Sequence, residues 1–182
     1  MATIDQLDLS PPHPPKEHAI EAFEHVQHEI KAAILASRHD WNKHEPRMWA
    51  LAAEASDHDL VDFTIIKDDL VVVRSAVTSY GPIILGKLRI RAIRLDSTGQ
   101  LVPGEVVKDA HGKIKVEMKH GKIDDDQYGF IFVRIHDPPG DGIENVKFHS
   151  LFTDEGKDGE GHNNGVYRAI QMNSTPLEFF NE

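Results

Sequence analysis

The chain has 182 residues and a net charge of −10, from 30 acids against 20 bases. That excess speaks against non-specific binding to nucleic acid, which needs a basic surface. Cysteine is absent, which excludes disulfides, thiolate zinc sites, iron–sulfur clusters and cysteine nucleophiles together and fits a reducing compartment.

An apolar share of 40% suffices for one core without covalent staples, so residues 1–182 read as a single domain. It divides into a lead-in over 1–15, a helical part over 16–60 and a β-rich part over 61–182. The first residues have no basic start and no apolar run, so they do not read as a secretory leader. The longest apolar stretches, near Leu70–Val73 and Pro82–Leu85, are too short to span a bilayer. A soluble, intracellular, cytoplasmic protein is expected.

The run Ser10-Pro11-Pro12-His13-Pro14-Pro15 favours polyproline II, because each proline fixes φ and restricts the residue before it. It predicts a spacer or a strap along the surface; a ligand for a proline-recognising domain is the alternative. Over 16–37, Ala19, Phe23, Val26, Ile30, Ala33 and Ile34 recur at three- and four-residue steps, the stripe of an amphipathic helix. Glu17, His18, Glu21, Glu24, His25 and His28 take the other side. A second helix is expected over about 46–56, with Pro46 in its first turn and Trp41 and Trp49 anchoring the connection.

The period then changes. Phe63–Ile66 and Leu70–Val77 read as strands, and Ile83–Leu95 as a longer one with a bulge at Gly86. Leu101–Val107 and Ile114–Met118 flank an Asp109–Gly112 turn. Tyr128–Ile135 and Asn145–Phe152 flank a Pro/Gly loop, and Val166–Met172 is a last strand. Turn signals every eight to twelve residues indicate an antiparallel sheet. The fold class is therefore α+β, two N-terminal helices packed on a curved antiparallel sheet, with a sandwich or open barrel as alternatives.

Three features bear on chemistry. His18, His25 and His28 share a helix side with Glu21 and Glu29, but that side faces solvent and lacks metal-site spacing. Asp154, Glu155, Asp158 and Glu160 sit among glycines without the order of a calcium loop. No metal and no cofactor is expected. The third feature is strand alternation. Lys87, Arg89 and Arg91 oppose Leu88, Ile90 and Ala92, Lys113, Lys115 and Lys119 oppose Ile114, Val116 and Met118, and Phe132, Arg134 and His136 alternate with Ile131, Val133 and Ile135. One sheet face thus carries a basic set inside an acidic protein.

The strands around Pro138–Ile143 are expected to pair with Ile135 opposite Val146 and Val133 opposite Phe148. Arg134 then lies opposite Lys147, a like-charge pair that an anionic group between them would relieve. The ligand-binding candidates are Arg89, Arg91, Arg134, His136, Lys147 and His149.

There is no nucleophile elbow, phosphate loop or dinucleotide fingerprint, so no reaction is assigned. The sequence reads first as a non-catalytic binding protein that recognises an acidic protein partner or an anionic small ligand through a sheet face, with no nucleic acid or membrane partner. The alternative is a small pocket enzyme or ligand carrier. Its layout, helices over a bent sheet, is similar to that of nuclear-transport-factor-like domains, with His136, His149, Arg134 and Asp137 at the mouth.

Overall fold

The apolar stripe does make a helix, in two pieces. The structure, a computed structural model, describes residues 7–104, 106–140, 142–157 and 160–181, with the backbone alone at Ile66 and Lys67. Helix α1 covers Glu17–His25 and helix α2 Gln27–His44, broken at Val26, where φ is −101° and ψ is 10°. Ala19, Ala22, Phe23, Val26, Ile30 and Ile34 are buried, whereas His18, His25 and His28 are exposed.

The expected second helix is a 3-10 helix, Pro46–Ala52. Glu45 accepts from the Arg47 amide at its start, and Trp49 leaves helical geometry inside it. Trp49 is buried and donates its Nε1 hydrogen to Ser37 Oγ at 3.2 Å. A short helix α3, Asp57–Leu60, follows, capped by Ser56 Oγ accepting from Asp59 N.

The expected strand over 63–66 does not form. Ile65–Asp69 is a π-helical turn, because Asp69 folds back to accept from Thr64 N at 2.7 Å and aims its carboxylate inward. Strand β1 (Leu70–Thr78) then pairs antiparallel with β2 (Gly81–Arg94). A two-residue hairpin of Met118–Lys119 (β3) and Lys122–Ile123 (β4) stands apart from them. Next come β5 (Tyr128–His136), β6 (Lys147–Leu151) and β7 (Gln171–Met172). The main sheet runs β1-β2-β5-β6, all antiparallel, and β7 pairs with the other end of β5. The described residues expected as strands at 101–107 and 114–118 make isolated bridges, Leu101 with Leu95 and Ile114 with Lys108, and only Met118 enters a strand, β3.

Gly86 is not at a bulge. It pairs in regular register with Val73 and Val133, and its missing side chain makes room for the Phe23 ring. The irregularities fall instead between Leu70 and Val72 and between Ile90 and Arg94.

The β5–β6 register is also corrected. Ile135 faces Phe148 and His136 faces Lys147; beyond a bulge, Arg134 faces Ser150 and Val133 faces Leu151. Ile143–Asn145 forms a 3-10 turn that takes up residues expected to begin the strand. The slip is two residues at Ile135 and His136 and three beyond the bulge, so Leu151 joins Val133 on the helix side and the Arg134–Lys147 opposition is removed.

The sheet divides the core. On one face Leu88, Ile90, Ile131, Val133 and Ile135 share a cluster with the buried residues of α1, α2 and the 3-10 helix. On the other, Leu85, Phe130 and Phe132 pack with Leu177, Phe179 and Phe180 of the C-terminal segment and with Leu7 and Leu9 of the lead-in. Two terminal segments, rather than further helices, cover the second face.

Candidate functional site

Alternation along β2 and β5 puts Lys87, Arg89, Arg134 and His136 on the face away from the helices, with Phe130 and Phe132 between them. Elementary electrostatics then asks what offsets this positive charge.

At one end the answer is carboxylate. Asp69 is completely buried and accepts from Arg89 Nη1 at 3.1 Å and from Arg91 Nε at 2.8 Å; Arg89 also pairs with Asp125. Arg89 further donates to Asp68 O and Arg91 to Ile114 O. Burial pushes the Asp69 carboxyl upward, while the Thr64 amide and the two guanidiniums pull it down. Burial dominates, so the carboxyl lies above its ordinary value, and the group of two acids and two bases pairs its charges internally. Arg89 and Arg91 are thus inside the fold.

At the other end the answer is main-chain carbonyl. Lys87 is buried, lies over the rings of Phe130 and Phe132, and donates to Asn173 O at 2.8 Å and Thr175 O at 3.0 Å. Arg74 donates to Leu177 O at 2.8 Å, and to Ser10 O of the lead-in at the same distance. Arg134 lies over the Phe179 ring and donates to Phe180 O at 3.0 Å and Asn181 Oδ1 at 3.2 Å. Among the described residues none of the three has a carboxylate within 4.0 Å. Burial pushes the Lys87 ammonium below its ordinary value, opposed only by Asp125 at longer range, and burial alone acts on Arg134. Arg134 Nε is buried and has no hydrogen-bond partner among the described residues.

The remaining candidates sit at the margin. His136 Nε2 is 2.7 Å from Tyr80 O, Lys147 is exposed beside it, and His149 is exposed with Nδ1 2.7 Å from Ser150 Oγ. The sequence candidates therefore separate into a neutralised pair (Arg89, Arg91), a cation under the C-terminal segment (Arg134) and a rim (His136, Lys147, His149). Sequence reading missed Arg74 and the segment itself. Leu177, Phe179 and Phe180 in a polar stretch were the signal available, since such a cluster implies a face to cover.

A groove of about 800 Å³ lies elsewhere, between the 3-10 helix, the end of β2 and residues 101–108. Leu51, Ala92, Ile93 and Val102 line it, with Glu54, Asp59, Arg94 and Lys108 supplying polar groups. Lys108 pairs with Asp59 at 2.8 Å and Arg94 with Glu117 at 3.0 Å. None of His136, His149, Arg134 or Asp137 lines this groove; Asp137 instead meets His18 at 2.6 Å. Beneath α1 and α2 the space is filled by Phe23, Ile30, Ile34 and Met48.

Among the described residues no three His, Asp or Glu side chains converge to hold a metal ion, and Asp158 of the acidic loop lies outside those residues. No helix there is long and apolar enough to cross a membrane. Compared with protein-family models, curated proteins and solved structures, the chain matches none.

Proposed function

We propose that this is a non-catalytic binding protein whose sheet face recognises an extended, apolar and acidic segment of a protein partner, with its own C-terminal segment as the resident occupant. One observation carries the reading: Lys87, Arg74 and Arg134 are partnered by main-chain carbonyls of 173–181 and, among the described residues, by no carboxylate. A carboxylate adds ion-pair attraction to the charge-assisted bond that a carbonyl already makes with a cation. A partner that offered carboxylates at those positions, and apolar anchors in place of Leu177, Phe179 and Phe180, would outcompete the resident segment. This is peptide-in-groove recognition, in which pockets for side chains give specificity and main-chain bonds give affinity.

The test uses the full chain. Phe179→Ser with Phe180→Ser loosens the resident segment while leaving the cations in place. A labelled peptide of residues 173–181 should bind this variant and bind the wild type far less. The same peptide with Thr175→Asp, Asn173 being kept because its side chain donates to Asp126 at 2.7 Å, should bind the variant more tightly, with a preference that weakens as salt rises. A folded variant that binds neither peptide sinks the proposal.

A second reading, a carrier of a small amphipathic molecule, rests on the groove near Ile93, whose volume falls in the range of ligand sites. Val102→Trp should fill it; unchanged uptake of an apolar dye would exclude the groove as the binding place.

A further inference from the structure

The groove beside Ile93 is held open by the fold itself. Val102 N donates to Arg94 O at 3.0 Å and Leu101 bridges to Leu95, which ties one wall to the end of β2. Lys108 meets Asp59 at 2.8 Å, which ties the far end of that wall to α3. The irregularity of β2 between Ile90 and Arg94 falls where Ala92, Ile93 and Arg94 line the groove, and such bulges re-aim side chains. The result is a cleft of about 800 Å³ whose lining includes Leu101 and Val102, both exposed apolar side chains.

Charge on this lining is not balanced. Among the described residues it holds two bases and two acids. Both bases are met: Lys108 by Asp59, and Arg94 by Glu117 at 3.0 Å with a further bond to Gln127 Oε1. Of the acids, Asp59 has its cation and Glu54 has none. Glu54 is exposed, and its carboxylate has neither a hydrogen bond nor an ion pair among the described residues. One negative charge is therefore left beside an apolar cleft, in a protein whose net charge is −10. An anion meets repulsion there and a cation attraction.

We infer that this groove binds a small amphipathic amine, its apolar body against Ile93 and Val102 and its ammonium beside Glu54. The inference rests on the carrier reading of the groove and adds to it the sign of the ligand's charge. A cleft walled by the 3-10 helix, β2 and residues 101–108 suits a small molecule, since such sites are concave and largely preformed.

The experiment is titration calorimetry of the full chain with naphthylethylamine, naphthylethanol and naphthylpropionate, which carry a cation, no charge and an anion on one apolar body. At low salt the amine should bind about two- to fivefold more tightly than the alcohol, as an exposed ion pair allows, and the carboxylate less tightly than either. Glu54→Gln should bring the amine to the affinity of the alcohol and leave the alcohol unchanged. Val102→Trp should remove binding of all three. Both positions are exposed, and urea unfolding verifies that each variant is folded. The inference is overturned if the amine has no advantage over the alcohol, or keeps its advantage in Glu54→Gln; the carrier reading then still stands if Val102→Trp removes binding of the alcohol. If none of the three binds the wild type, the carrier reading falls and this inference with it.

Discussion

The ring of Phe23 rests on the backbone of Gly86: a Cβ added to that glycine would stand 2.5 Å from Phe23 Cζ and 2.9 Å from Leu70 Cδ1. Helix α1 and the middle of β2 are thereby held closer than any side chain on the strand would allow. Gly86→Ala should destabilise the protein by about 1–3 kcal/mol through overpacking. Phe23→Ala, on a fully buried ring, should cost about 3–5 kcal/mol. Because the two residues touch, Gly86→Ala should cost less in a Phe23→Leu background, and urea unfolding of the four proteins measures that coupling. Additive costs would show that the contact does not limit the approach.

The helix faces can be tested separately. His25 is exposed, so His25→Ala should change stability by no more than about 0.5 kcal/mol. A larger loss than that of Phe23→Ala would reverse the assignment of faces.

Asp69 is the hinge of the buried ion group. Asp69→Asn leaves Arg89 and Arg91 with one fewer charge to meet and should cost about 3–5 kcal/mol. Replacing Asp69, Arg89 and Arg91 by apolar residues and Asp125 by Asn should cost less than the single change, because no uncompensated charge then remains. The comparison is a thermal-unfolding series; a harmless Asp69→Asn would show that the guanidiniums are satisfied without it.

Lys87 gives a pH dependence. Its folded pKa lies below the ordinary value of 10.5, mainly because of burial. Between the two values the unfolded chain binds more protons than the folded one, so stability should rise with pH across that window, up to 10.5. Lys31 is also lowered, first by burial and then by the charge of Lys113, and it acts in the same direction. The contribution of Lys87 is the part of the rise that disappears in Lys87→Met, followed by denaturant unfolding at successive alkaline pH values. An identical pH profile in the variant would refute it.

Much of the architecture is legible in the residues taken alone. The stripe from Ala19 to Ile34 specifies a buried helix face, and period-two alternation assigns Ile131, Val133 and Ile135 to one side of the sheet and Phe132, Arg134 and His136 to the other. These are local periodicities, set by side-chain direction along the chain. What covers each face is a different matter, because it depends on residues far apart in sequence. The basic alternation of β2 and β5 reads as an open surface until the segment ending in Leu177, Phe179 and Phe180 lies across it, about ninety residues from Lys87 along the chain. Arg89 and Lys87 have the same local pattern. Tertiary structure decides that one meets Asp69 and Asp125 while the other meets two carbonyls. The π-helical turn at Ile65–Asp69 has the same origin: Asp69 leaves a strand-like path because two guanidiniums from β2 wait inside, and charge partners 20 and 22 residues away leave no trace in local periodicity.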